Sequence, residues 1–496
     1  MSVSALRLMV RSSPGLNALT CLLADDTIGY VIDDTSITSR SGRLASGNQL
    51  GEIMARSNRR LVSIVFVALL IAVGIGPGIS RAQDDKIELR IWDQFTDPAQ
   101  SDAADAIYKA YEEAHPNITI KREAIATDQM RQTVNTAIAS GTGPDIIFYD
   151  AGPGYAGVLA NAGLVAPLDA YAAQYGWTDK IGAQSLEATS LNGQLYGLPL
   201  QVDLIGMYYN KTLMDQEGWT VPTSIEELKT FCGAAKEKGY NPISFSDNPG
   251  WQAFHQFSMT ANAMIGPDAM QALLTQNQGS WNTPEIVKAI QTYFVDLMDA
   301  GCYTSDVNAL TYEDGSSLFY SGMSPLNTTG SWLISGIQEN MPDYEVGMAP
   351  FPSIDGAAGQ YWISGVGSAY YISAKSAHQD EAAALLDYFF SPDVVKQWVE
   401  QAGFFVPVAS DTASFNVSPL YRSILDVLQT GIGDAATAEF GYNVDVLAPP
   451  QFNEAMQNGF QAIIAGQTTP EQLAADLQAA WEEGMAAMNA AGTPTS

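Results

Sequence analysis

From residue 86 onward the apolar positions switch repeatedly between a period of two and a period near 3.6, the marks of strands and helices. KIELRIW (86–92) alternates, with Ile87, Leu89 and Ile91 on one face. From Pro98, the residues Ala103, Ile107, Ala110, Tyr111 and Ala114 make a helical stripe, and NITIKRE (117–123) reads as a second strand. A second helix, from Thr127, carries Met130, Val134, Ala137 and Ile138 and stops at Gly141. DIIFY (145–149) is apolar enough for a strand covered on both faces. This β-α-β-α-β order predicts a parallel sheet with helices on both sides.

The pattern resumes with a strand in VDLIGMYYN (202–210). Thr223 and Glu226 have the spacing of a capping box for a helix that buries Ile225, Leu228, Phe231 and Cys232 and ends at Gly239. Thr283-Pro284 opens another helix, closed by Gly301. Strands follow in YEVGMAPF (344–351) and YWISGVGSAYYI (361–372), then a helix with Ser391 as cap and Pro392 in its first turn. The last third reads as mainly helical, through PEQLAADLQAAWEEGMAAM (470–488). Two α/β lobes with the chain crossing between them are the economical solution, and they leave a cleft.

A different pattern precedes all this. Residues 61–73, LVSIVFVALLIAV, follow Arg56, Arg59 and Arg60 and end in small residues, with Ser80 and Ala82 at the −3 and −1 positions of a cleavage site. The run is shorter than the roughly 20 residues that span a bilayer, so it predicts export rather than anchoring. Met54 is the expected start. Residues 1–53 are then a gene-model artefact, 54–82 a signal peptide, and the mature chain begins at Gln83. No cysteine follows the apolar core, so the product is expected to be secreted, periplasmic or at the cell surface, and not lipidated.

Composition narrows the partners. With 23 Lys+Arg against 54 Asp+Glu, the formal net charge is −31, which repels nucleic acid and anionic membranes. Of three cysteines, Cys21 falls in the expected extension; Cys232 and Cys302 are either a bridge or two buried thiols. There are three histidines, and no HExxH, GxSxG, GxxxxGK or CxxC, so metal or serine hydrolysis and P-loop chemistry lack their parts. No metal ligand set and no cofactor are expected. Gly152, Gly154 and Gly157 match GxGxxG, but they follow a third strand, and Asp169 comes too soon to bind a ribose. They read instead as a tight turn opening a helix beside the cleft.

In open α/β sheets, ligands bind beyond the carboxyl ends of the strands. That rule selects Trp92 and Asp93 after the first strand, and Tyr149 and Asp150 after the third. An aromatic beside a carboxylate suits a sugar, whose apolar ring face stacks while its hydroxyls donate to the acid.

Three segments carry a resemblance: TAIASGTGPDIIFYDAGPGYAGVLANAGLVAPLD (136–169), LYGLPLQVDLIGMYYNKTLMDQEGW (195–219) and TTGSWLISGI (328–337). In this order and spacing they resemble the extracellular solute-binding proteins of carbohydrate ABC transporters, of the maltodextrin-binding type, over about residues 86–488. The resemblance implies a two-lobed periplasmic-binding-protein fold, two α/β lobes joined by a hinge of crossing strands. Residues 83–201 with about 366–408 would form the N-terminal lobe, and 202–365 with about 409–489 the C-terminal lobe, before a disordered tail at 490–496. A monomer would carry a sugar to the transporter's permease subunits.

By motif, the resemblance places Trp92 beside the sugar, Tyr149 where the family often has a stacking tryptophan, and Asp203 as the hinge-strand carboxylate. Trp332 becomes the main stacking platform and Trp251 a further aromatic contact, with Trp362 and Gly365 on a crossing strand. The sequence departs from maltodextrin receptors at Phe452-Asn453, where a stacking tryptophan is missing, and in lacking a lysine in WDQFTDPAQ (92–100). A receptor for polyamines or other organic cations is the first rival; Gln94 and Gln201, beside the acids, favour the sugar. A phosphorylated sugar is disfavoured because no arginine accompanies these motifs. A secreted glycosidase is the rival from another class, with no acid pair marked by spacing.

Overall fold

The computed structural model describes residues 86–491, apart from 249, 305, 409 and 433–439. The expected extension, the signal segment, Cys21 and the Gln83 start lie outside the described residues, as does the tail after Ala491.

Thirteen strands occur in the described residues. In chain order they are β1 (Ile87–Asp93), β2 (Ile118–Ala124), β3 (Ile146–Asp150), β4 (Ser190–Leu191), β5 (Gln194–Leu195), β6 (Gly197–Pro199) and β7 (Val202–Asn210). After these come β8 (Ile243–Ser244), β9 (Leu326–Gly330), β10 (Val346–Ala349), β11 (Trp362–Val366), β12 (Ser368–Ile372) and β13 (Phe440–Tyr442). The first sheet has the order β2-β1-β3-β12-β6, and the second runs β13-β11-β7-β9-β8 with β10 also paired to β7.

The opening β-α-β-α-β segment gives parallel pairs, β1 with both β2 and β3. The full sheet is nevertheless mixed, because β12 returns from the distant crossing strand and pairs antiparallel with β3 and β6. The second sheet is largely antiparallel, with β7 pairing β9, β10 and β11 in that sense. Local period does not encode strand direction when the partner lies far along the chain, as Ser368 does from Asp150.

Both faces of each sheet are covered. Ile91, Ile146 and Tyr370 pack on one side of the first sheet with Trp177 and Trp398, and Ile147, Tyr149 and Tyr371 on the other with Met130 and Val134. Met207 and Ile363 of the second sheet face a large core holding Trp281 and Trp481, while Leu204 and Tyr208 face Leu333, Val395 and Phe405. Each such fully buried aliphatic or aromatic side chain contributes about 1.5–3 kcal/mol. Cys232 and Cys302, at 0% exposure in the large core, are joined as a disulfide across a separation of 70 residues.

Helix caps differ in detail from expectation. Ser224, not Thr223, caps the helix Ile225–Glu237 by accepting from the Glu227 amide, while Thr223 donates to the Glu227 carboxylate. Ser391 precedes Pro392–Gln397, but its hydroxyl donates backward to Tyr388 O. The C-terminal helix, Pro470–Ala491, reaches into the expected tail. Among the described residues, no helix is long and apolar enough to cross a membrane.

The chain passes from the first sheet to the second between β6 and β7, and back between β11 and β12. Those two crossings lie side by side: Gly365 pairs with Asp203, and Ala369 with Pro199. A cleft opens beside them.

Candidate functional site

The cleft has a volume of about 300 Å³. One wall comes from loops after β1 and β3 and from the first turns of the helices Pro98–Ala114 and Thr127–Ser140. The facing wall comes from Trp251, His255, Tyr312 and Trp332, and the floor from the crossing strands.

The aromatic wall is one interlocked group. Trp251 lies 5.0 Å from Tyr312 and 6.4 Å from Trp332, and His255 lies 5.0 Å from Trp332, measured between ring centroids. The Trp332 indole N–H donates to Tyr312 Oη at 2.8 Å. The ring folds back over Gly330, where a Cβ would come within 2.0 Å of it, so glycine is needed at the end of β9. Burial, reinforced by nearby Arg131, depresses His255 to about 3, and its buried Nδ1 has no partner. The imidazole is therefore neutral at ordinary pH.

Opposite, Arg131 donates Nε–H to Asp150 at 2.9 Å and stacks its guanidinium 4.6 Å from the Tyr155 ring centroid. Gln94 bridges Asp150 and the Ser368 hydroxyl at 3.5 and 3.4 Å. On the floor, both carboxylate oxygens of Asp203 accept from Gln201 Nε2, at 2.9 and 3.0 Å, and Oδ1 also accepts from Ser331 Oγ at 3.1 Å. Burial pushes the Asp203 carboxyl up to about 6, against those neutral donors. Asp445, just past β13, accepts from Tyr155 Oη at 3.2 Å through Oδ2, whereas Oδ1 is buried without a partner. Burial pushes this carboxyl up to about 6 as well, with Arg131 opposing.

Seven of the sequence-selected residues line the cleft together: Gln94, Asp150, Gln201, Asp203, Trp251, Trp332 and Gly365. Four do not. Asp93 shares a face with Leu89 and Ile91, and there it takes bonds from Arg122 at 2.7 and 2.9 Å and from Tyr108 Oη at 3.4 Å. Trp92, on the other face, packs half-buried against the cluster containing Tyr149 and Ile125. Tyr149 is 5% exposed and meets Tyr155 edge-on at 6.3 Å, inside that cluster. Trp362 lies on the face of β11 that packs with Leu204 and Tyr208. The two-residue strand period sends these side chains to packed faces, and next to Asp93 and Tyr149 it is Gln94 and Asp150 that turn to the cleft.

Sequence reasoning missed Arg131, His255, Tyr312 and Asp445, which also line the cleft. Arg131 overturns the expectation that no arginine attends the site; it reaches in from a helix whose apolar stripe gave no sign of it. Asp445 follows β13, a strand hidden in a segment read as helical. At the departure noted earlier, Phe452 is fully buried against Trp281, 4.6 Å away, and Asn453 Nδ2 donates to Asp445 O. The GxGxxG glycines serve a turn, as expected: Gly152 has φ 97°, and a Cβ there would strike Val446 O. Among the described residues no group of three His, Cys, Asp or Glu is placed to hold a metal.

Comparison with known proteins identifies the family and the fold. The family described as bacterial extracellular solute-binding protein matches residues 93–396. The multiple sugar-binding protein of Streptococcus mutans is 25% identical over 347 residues, 65% of this chain and 76% of the relative. The maltotriose-binding protein of Pyrococcus abyssi is 26% identical over 289 residues, 57% of this chain and 58% of its own length. Among solved structures, a chitin oligosaccharide binding protein superposes with a TM-score of 0.71 at 22% identity, covering 81% of this chain and 100% of its own. The shared architecture is the two-lobed periplasmic-binding-protein fold.

Proposed function

Because the chain belongs to the bacterial extracellular solute-binding proteins, we propose that it captures a sugar or oligosaccharide between two lobes and delivers it to an ABC transporter permease. The observation that carries this reading is the cleft itself, with an indole-rich wall facing carboxylates and amides across about 300 Å³. Trp332 and Trp251 would stack on the ring face, with Asp203, Asp150, Gln94 and Gln201 taking hydroxyls. The sugar-binding names of the relatives favour this over a polyamine receptor.

The lobes would be residues 83–201 with about 366–408, and 202–365 with about 409–489, rotating about Gln201–Ile205 and Gly365–Ala369. Gln100 Nε2 already reaches across the cleft to Trp332 O and Ser335 Oγ, both at 3.3 Å. Binding would proceed without turnover.

A thermal-shift screen against mono- and oligosaccharides tests the reading, since a ligand held by the folded state raises stability by RT ln(1 + [L]/Kd). At least one sugar should raise the melting temperature, with no reducing sugar released. A panel in which no sugar does so would sink the proposal.

A further inference from the structure

The carboxylates on the cleft are not equally compensated. Asp150 has the Arg131 guanidinium. Asp97 is the N-cap of its helix, and Asp128 and Glu313 lie in first turns, where the positive helix end offsets their charge. Asp203 has no such partner, and Asp445 shares the charge of Arg131 with Asp150 without a hydrogen bond to it. Asp203 takes hydrogen bonds only from neutral groups, and Asp445 takes one phenol on Oδ2 and nothing on Oδ1, although the residue is only 3% exposed.

Both acids line the cleft. Gly365, on β11, is register-paired with Asp203 on β7, and on its other side it approaches Asn443, two residues before Asp445. Gly367, next along the chain, also leaves Asp203 uncovered, since a Cβ there would fall 2.3 Å from Oδ2. A buried carboxylate with no cation of its own and without full hydrogen bonding is costly, and a ligand hydroxyl relieves only the missing bond. An ammonium relieves both, with three donors and a charge. Among the described residues lining the cleft no cation is free to do so: Arg131 is bonded to Asp150, and His255 is neutral. The neighbouring Trp251, Tyr312 and Trp332 rings also attract a cation.

We propose that the ligand is an amine-bearing sugar whose ammonium group sits on the cleft floor against Asp445 Oδ1 and beside Asp203, with its ring on the Trp332 platform. This rests on the sugar-receptor reading and narrows it.

Titration calorimetry on the whole protein tests it with matched sugars: glucosamine, glucose and N-acetylglucosamine, each also as the β1,4-linked dimer, with putrescine as a ring-free amine. At about pH 6.5 the amines are protonated. The amine form should bind at least about tenfold tighter than its hydroxyl and N-acetyl twins, the gain of a charge-assisted over a neutral hydrogen bond. Asp445→Asn should erase that preference while leaving residual sugar binding. If that variant does not fold, the matched sugars on the parent protein decide alone. Equal binding of the twins, or tighter binding of the neutral form, overturns the amine while leaving the sugar receptor standing. Putrescine binding more tightly than every sugar overturns both, and so does a panel in which no sugar binds.

Discussion

Trp332 and Tyr312 are joined by a 2.8 Å hydrogen bond from the indole N–H to the phenol oxygen, which fixes the plane of one of the two indoles on the cleft wall. Trp332→Ala should weaken sugar binding by about 1–3 kcal/mol, the range of a buried aromatic anchor. Tyr312→Phe keeps the ring but frees the indole, and should cost less, about 1 kcal/mol. Calorimetry on both variants checks the order; equal binding by Trp332→Ala and the parent would remove the platform from the site.

Gly330→Ala approaches the same platform from beneath. A Cβ would overlap the indole at 2.0 Å, so the ring must swing into the cleft. Affinity should fall at least as far as in Tyr312→Phe, and ligand-induced change in tryptophan fluorescence should shrink. Retention of both would show that the ring does not contact the ligand.

Asp203 makes binding and stability depend on pH in opposite senses. Its folded-state carboxyl stands at about 6, above the ordinary value near 4, so the folded protein holds the proton more tightly than the unfolded chain. The unliganded protein therefore loses stability as pH rises from about 4 to 6, by up to about 3 kcal/mol from this group. Asp203→Asn, which cannot ionise, should gain melting temperature relative to the parent across that window. Sugar affinity of the parent should rise over the same range, because the ionised acid is the better acceptor. A variant-minus-parent difference that is flat with pH would refute the assignment.

The Cys232–Cys302 bridge closes a loop spanning 70 residues within the second lobe's core. Replacing both cysteines with Ala should cost about 2–5 kcal/mol. Thermal melts with and without reductant check this: reductant should lower the parent's melting temperature and leave the double variant's unchanged.

Gln100 ties the first helix to Trp332 and Ser335 across the cleft. Gln100→Ala should shift the unliganded protein toward a more open form, and saturating sugar should compact both proteins. Small-angle scattering measures this. An unchanged radius of gyration with ligand would argue against closure.

The element sequence was legible because strand and helix periods are local. The run from Ile87 to Asp150 could be read residue by residue, since each side chain's face follows from its immediate neighbours. Asp203, Trp251 and Trp332 were found through motif resemblance, Asp150 through the rule that ligands sit beyond strand ends, and Gln94 as an amide beside an acid. What sequence could not supply was the partner of each side chain. The partner of the buried Asp93 is Arg122, 29 residues away. Whether an arginine attends the site depends on Arg131 leaning over Tyr155 toward Asp150. The mixed order of the first sheet, the disulfide, and the placing of Asp203 and Asn443 on either side of Gly365 all join residues far apart in the chain. Periodicity carries information over a few residues, whereas these relationships are chosen by which packing buries the most apolar surface while pairing the polar groups that must go with it. The tertiary structure alone makes that choice.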